Sequence, residues 1–233
     1  MNTSLVLKSN QNWRKQVQKR IRNSKSTLRG LIGSIRSQTY IVYGVFFFVS
    51  LCLITIVNKF SLHLVTNKFH NTFCDVFFKY STHIGDGLIF GVLVVIFFFI
   101  KRKMSLVFLV GGILTLFITH LLKKVIFKGI ARPVGAMGED TLHLVEGVKM
   151  ALWNSFPSGH TITAFTVFTV LSLYFAKCKS QYLWFSLAII AGLSRVYLSQ
   201  HFLIDVVVGS VIGVVIGFIS MAFFCKSERT IHS

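Results

Sequence analysis

Two histidines, an aspartate and two arginines stand at spacings that suit phosphoryl chemistry. His201 and Asp205 are four residues apart, so on a helix they share one face. A carboxylate there can hold one imidazole nitrogen protonated and leave the other free to attack phosphorus. His160, closing the run Pro157-Ser158-Gly159-His160, suits a general acid that protonates a leaving oxygen. A phosphate ester brings two negative charges that something must neutralise, and Arg132 and Arg195 can offer bidentate forks to its oxygens. Ser158 stands where an N-cap belongs, so the N–H groups of the following turn point toward a bound anion, and Gly159 lets the backbone approach closely. Each residue also has a bland reading: a snorkelling Arg195, a simple Ser158 cap, a His201–Asp205 pair that only secures a helix end. The blocks occurring together and in order favour the chemical reading.

The elements that must position these residues are apolar. More than half of the 233 residues are hydrophobic, with 24 Phe and two Pro. Six long runs are apolar, with Asp86 and Asp205 their only charged residues: Tyr40–Val57, Ile84–Ile100, Ser105–Leu122, Thr161–Ala176, Tyr182–Ser194 and Ile204–Phe224. At ~1.5 Å per residue, a run of about 18 residues nearly crosses a ~30 Å hydrocarbon core. The expected architecture is all-α, a polytopic bundle of six transmembrane helices with its active site at the outer face. A basic segment (residues 1–39) precedes the six-helix domain (40–225), and a short tail (226–233) follows it. A chain this short has too little polar mass to bury six such helices in a soluble core.

Charge predicts orientation. Nine Lys or Arg and no acid precede the first run, and Lys101–Lys103, Lys177 and Lys179, and Lys226 and Arg229 fall on the same side. This positive-inside asymmetry sets both termini in the cytoplasm of a cell inner or plasma membrane. The third helix then exits before Arg132, the fourth enters after His160 and the fifth exits at Ser194, so all the motif blocks meet outside. The +18 net charge clusters at helix ends and reads as topology, with no nucleic-acid partner. The N-terminal segment lacks the pattern of a cleavable signal peptide. Trp13, Val17 and Ile21 recur every four residues, which fits either an amphipathic helix on an anionic leaflet or a disordered basic tail. The four cysteines have no metal-site or disulfide spacing.

Together with Arg132-Pro133, the two blocks Pro157–His160 and Ser194-Arg195…His201…Asp205 resemble the three-part signature of the type 2 phosphatidic acid phosphatase superfamily. The resemblance covers Lys124 to about Gly217 and implies a membrane lipid phosphatase without metal or cofactor. It implies His201 as nucleophile, Asp205 as its partner and His160 as acid, with Arg132, Ser158, Gly159 and Arg195 on the phosphate. The family pattern also has a Lys six residues ahead of Arg-Pro, a position that here is Val125. Lys124 is assigned the role, with Lys123 and Lys128 as neighbours that could supply the cation instead.

Other classes fit less well. A two-metal phosphatase needs clustered carboxylates or histidines, and the outward acids Asp75, Asp86, Glu139, Asp140 and Glu146 are scattered. The vanadium peroxidases of the same superfamily are soluble. A transporter or scaffold would not need the full catalytic set. A lipid phosphotransferase, passing the same phosphohistidine to a second lipid, stays open. So does the substrate: phosphatidate, an isoprenoid diphosphate, a lysophospholipid phosphate and lipid A phosphates all suit the motifs. The loop from Val134 to Phe156 is expected to select among them, and the Phe-rich segment Asn58–His83 to lie along the interface. Gly209, Gly213 and Gly217, four apart, predict close helix packing.

Overall fold

The computed structural model of the chain describes residues 30, 32–33, 37–175 and 181–231. The N-terminal segment around Trp13, expected as an amphipathic helix or a disordered basic tail, and the residues Lys177 and Lys179 lie outside the described residues. Nine α-helices follow in order among the described elements: α1 (Ser37–Ile56), α2 (Lys59–Lys68), α3 (Thr72–Ser81), α4 (Leu88–Ile100), α5 (Arg102–His120), α6 (Pro133–Met137), α7 (Gly159–Tyr174), α8 (Gln181–Tyr197) and α9 (Leu203–Ile231). Among the described residues the extended pairing is one isolated antiparallel bridge, Ala131 with Trp153. The all-helical expectation is met.

Each of the six apolar runs coincides with a helix, yet they differ in length. The helices Arg102–Ile126 and Leu203–Ala222 are each long and apolar enough to cross a membrane. Two bent pairs raise that number to as many as four: Ile41–Ile56 with Lys59–Lys68, bent by 118°, and Thr72–Gly85 with Leu88–Ile100, bent by 59°. With 16 residues, α7 falls short of the same length. The reason is its position. Thr161 to Leu173 are all buried, so α7 is the central post of the bundle and meets helices on every side.

The bends have local causes. Asn58 caps α2 by accepting from Phe60 N at 2.9 Å, and just before α4 Asp86 Oδ1 accepts from Leu88 N at 3.0 Å. Both are helix-start signals that break the preceding run and turn the chain aside. The short helices α2 and α3 make up most of the Phe-rich segment Asn58–His83. They pack beside the end of α8, where the hydroxyl of Tyr197 donates to Asp75 Oδ1 at 2.6 Å.

The glycine stripe of α9 sits against α7. A Cβ at Gly209 would stand 2.9 Å from Ser158 O, one at Gly213 would stand 2.6 Å from Ile162 O, and one at Gly217 would stand 2.8 Å from Thr169 Cβ. The approach lets Thr166 Oγ1 donate across the interface to Gly213 O at 3.1 Å. Phe46, Phe90, Phe97, Phe108 and Phe165 fill the apolar core around this axis. Gly213→Ala is expected to destabilise the bundle by about 1–3 kcal/mol through overpacking. Gly44→Ala, with open space where its Cβ would be, should leave the midpoint unchanged. Thermal unfolding in detergent reads both, and equal midpoints would count against the interface.

Candidate active site

The site is assembled where α7 begins, α8 ends and α9 begins, and the turn between α8 and α9 is its hinge. Arg195 O accepts from both Gln200 N (3.0 Å) and His201 N (3.1 Å), which folds the chain back after the last helical turn. Ser199 takes a left-handed conformation there (φ 52°). Five residues of spacing thus become a tight reversal that brings Arg195 and His201 to one place. The buried Arg195 guanidinium is held by Thr82, which accepts from its Nη1. Its Nε–H is buried with no hydrogen-bond partner among the described residues, an open donor at the site.

His201 is 1% exposed. Its Nδ1 lies 3.3 Å from Asp205 Oδ2, as the four-residue spacing predicts. The same carboxylate oxygen accepts from Phe202 N at 3.1 Å and from the Ser155 hydroxyl. Facing a carboxylate, Nδ1 carries the proton and Nε2 keeps its lone pair. Burial, reinforced by the positive fields of Lys123, Arg132 and Arg195, holds His201 well below the usual imidazole range. The ring is therefore neutral at physiological pH.

Two segments bring the remaining groups. Arg132 N donates to Leu152 O (2.8 Å) and Ser155 N to Ile130 O (3.0 Å), so both ends of the long loop are pinned together. That pairing sets Arg132 opposite Leu152 and Ser155 opposite Ile130. The Arg132 guanidinium donates through Nε to Trp153 O (3.1 Å) and through Nη1 to Gln200 Oε1 (2.8 Å). Ser158 N donates to Asp205 O at 3.1 Å, docking the start of α7 on the start of α9. Ser158 Oγ is fully buried and caps α7, accepting from Thr161 N and Thr161 Oγ1 (2.8 Å). The first-turn N–H groups beyond it face the site without intrahelical partners, as at any helix start. His160 lies in that turn, within electrostatic reach of His201, Arg195 and Asp86. Among the described residues, no group of three His, Cys, Asp or Glu could hold a metal ion.

With these motifs in one place, the comparison with known families is decisive: the family model of the PAP2 superfamily matches residues 102–229. The chain belongs to the PAP2 superfamily. Among solved structures it is similar to Aquifex aeolicus LpxE, with 30% identity, a TM-score of 0.58, and coverage of 69% of this chain and 93% of that one. The fold also matches the Bacillus subtilis PAP2 type phosphatidylglycerolphosphate phosphatase, at TM-score 0.60 and 24% identity, over 80% of this chain and 96% of that one. Curated relatives match over shorter stretches. Phosphatidylglycerophosphatase B of Bacillus subtilis is 34% identical over 84 residues, 32% of this chain and 41% of its own. The lipid A 1-phosphatase of Porphyromonas gingivalis is 35% identical over 66 residues, 28% of this chain and 15% of its own. The bacitracin transport permease protein BcrC of Bacillus licheniformis is 39% identical over 61 residues, 26% of this chain and 29% of its own. The chain thus spans less than half the length of these curated relatives.

The two lysines nearest the first PAP2 block, Lys123 and Lys124, are placed differently. Lys124 is exposed, whereas Lys123 is half-buried and feels the charges of Arg132, Asp205 and Arg195. Its Cε lies 4.0 Å from where a Gly159 Cβ would stand. The physical reason is a π-helical turn, Leu121–Ile126, that continues α5. The wider turn and the loop after it absorb extra residues, so counting back from Arg132 lands on the wrong face. Ser155, Gln200 and Thr82 also touch the site and were invisible to motif reading. The single available signal was proximity to a motif residue, as for Gln200 beside His201. Lys123→Ala is expected to weaken vanadate binding about tenfold, ~1.4 kcal/mol, and Lys124→Ala much less. Calorimetric titration distinguishes them, and a larger loss at Lys124 would restore the reading from spacing.

Proposed function

We propose that the protein is an integral-membrane lipid phosphatase that hydrolyses a phosphomonoester or diphosphate of a membrane lipid through a phosphohistidine, without metal. The observation that carries the lipid half is a groove of about 510 Å³ between α4 and α5. Gly91, Phe108, Gly112 and Leu116 line its apolar length, and Gly159 and His160 stand at its end. A hydrocarbon chain lying there would present its phosphate oxygen to the residue suited to protonate it. The relatives named for lipid A and phosphatidylglycerophosphate support the same substrate class.

The chemistry follows from the arrangement. His201 Nε2 attacks phosphorus while the bond to the lipid oxygen breaks; His160, held neutral before substrate binds by burial and the Arg195 charge, takes a proton from the incoming phosphate monoanion and gives it to that oxygen. Asp205 holds the Nδ1 proton and balances the imidazolium as it forms. Lys123, Arg132, Arg195 and the first-turn N–H groups of α7 meet the charge spread over the equatorial oxygens. Water then attacks the phosphohistidine, giving its proton to His160 and releasing inorganic phosphate. In this reading Ser158 shapes the anion cradle through its cap, Gly159 keeps it open, and Lys123 takes the role first assigned to Lys124.

The mechanism predicts separable defects. His201→Ala is expected to abolish lipid phosphate release and any acid-labile, alkali-stable phosphoenzyme trapped by rapid quench. Asp205→Asn should slow phosphorylation severely. His160→Ala should be partly relieved with p-nitrophenyl phosphate, whose phenolate leaves without a proton. Full turnover in His201→Ala, or abolition of wild-type turnover by a metal chelator, would refute it.

The membrane reading is a six-span bundle, residues 40–225, with residues 1–39 and 226–233 cytoplasmic and the site facing outward. It rests on the basic asymmetry and on the exposure of the loop over the site. A thiol reagent that does not cross membranes should label Thr141→Cys in intact cells and spare Lys103→Cys. The reverse pattern would invert the topology.

A further inference from the structure

A second groove flanks the catalytic turn. It runs between α1, α2 and the facing parts of α8 and α9, with a volume of about 420 Å³. Val45, Val49, Leu53, Ile189, Leu193 and Leu203 form its walls, Lys59 stands at its mouth, and the buried His63 lines it. The volume is that of a ligand site for one small apolar body, and the walls belong to helices that lie among hydrocarbon. The chain being cleaved cannot be the occupant. In-line displacement places the leaving oxygen opposite the nucleophile, at His160, whereas this groove abuts Phe202 and the α9 start on the nucleophile's own side. That exclusion rests on the phosphatase reading above.

The mouth specifies the head of the occupant. Lys59 Nζ lies over the ring faces of Phe60 and Phe202, at 4.9 and 5.0 Å, which holds a cation at the groove entrance. His63 is 2% exposed, and its Nδ1 has no hydrogen-bond partner among the described residues. Its Nε2 is 3.1 Å from Ser199 Oγ, and Asn67 Nδ2 donates to the same oxygen at 3.3 Å. Ser199 is the left-handed residue of the turn that carries His201. The wall of the groove is thus bonded, through the Ser199 hydroxyl, to the turn that carries His201.

We propose that this groove holds one acyl chain of an anionic phospholipid that is not the substrate, its phosphodiester against Lys59. Its occupancy steadies the turn of His201 through His63 and Ser199. An apolar trough ending on a single cation suits such an amphiphile, while a zwitterionic lipid would bring its own positive charge to the mouth.

The test uses the full chain in phosphatidylcholine bilayers with and without phosphatidylglycerol. A photoactivatable phosphatidylglycerol should label α1 between Val45 and Leu53, and Val49→Trp, which fills the groove from a bilayer-facing position, should abolish that labelling. With p-nitrophenyl phosphate as substrate, phosphatidylglycerol should raise kcat by about fivefold in the wild type. Val49→Trp should lose the stimulation while keeping its rate in phosphatidylcholine within about twofold of wild type. Lys59→Ala should weaken the labelling by phosphatidylglycerol. Labelling spread evenly over α1 and the α4–α5 groove, or undiminished by Val49→Trp, would overturn the site. Labelling in place without stimulation would overturn its link to His201. An absence of p-nitrophenyl phosphate turnover, with labelling intact, would instead count against the phosphatase reading.

Discussion

A carboxylate buried at the end of an apolar bundle is tolerable only if hydrogen bonds and cations replace the water it has lost. Asp205 meets that requirement with partners from separate parts of the chain. Its carboxylate takes the Ser155 hydroxyl, the Phe202 amide and the His201 ring, and its carbonyl takes the Ser158 amide. The long loop, the start of α7 and the turn before α9 are therefore fixed by one residue. The positive groups Lys123, Arg132 and Arg195 gather around the same point. Their mutual repulsion is offset by Asp205, and in the proposed reaction an arriving phosphate would find them already in place.

Packing below the site serves the same end. The glycines of α9 let that helix lie against α7 closely enough for Ser158 to reach Asp205 O. Gly85 does likewise from another side, since a Cβ there would stand 2.8 Å from His160 O. The loop over the site is tied down independently. Asn67 donates to His143 O (2.9 Å) and accepts from His143 N (2.8 Å), while His143 meets Asp75 at 3.0 Å. Gln200 joins the two systems, accepting from Arg132 and donating to Lys149 O at 3.3 Å. Substrate selection by this loop would therefore act on a surface anchored to the nucleophile's turn.

Much of the site was legible because chemistry forces residue type. His201, Asp205, His160, Arg132 and Arg195 could be picked out by charge, spacing and order, and the structure brings all five together. Apolar runs located the helices, since hydropathy reads the solvent directly. Helix length was less legible, because α7 is surrounded by protein and obeys packing instead of bilayer thickness. Spacing favoured Lys124 over its neighbour Lys123, which is the one that lies nearer Gly159, since spacing rules assume a regular helix and the chain runs through a π turn at Leu121–Ile126. Ser155 and Thr82 were missed for a different reason. A hydroxyl that accepts or donates one hydrogen bond has no sequence pattern, and its role is created by the fold around it.

In the proposed lipid phosphatase, the shortness of α7 would also set the depth of the reaction. Sixteen residues reach about 24 Å, against ~30 Å of hydrocarbon. With His160 at its head, the floor of a six-span bundle would be recessed several ångströms beneath the plane of the headgroups. A lipid would then be cleaved without being lifted out of its leaflet, and it is water that would descend to meet it.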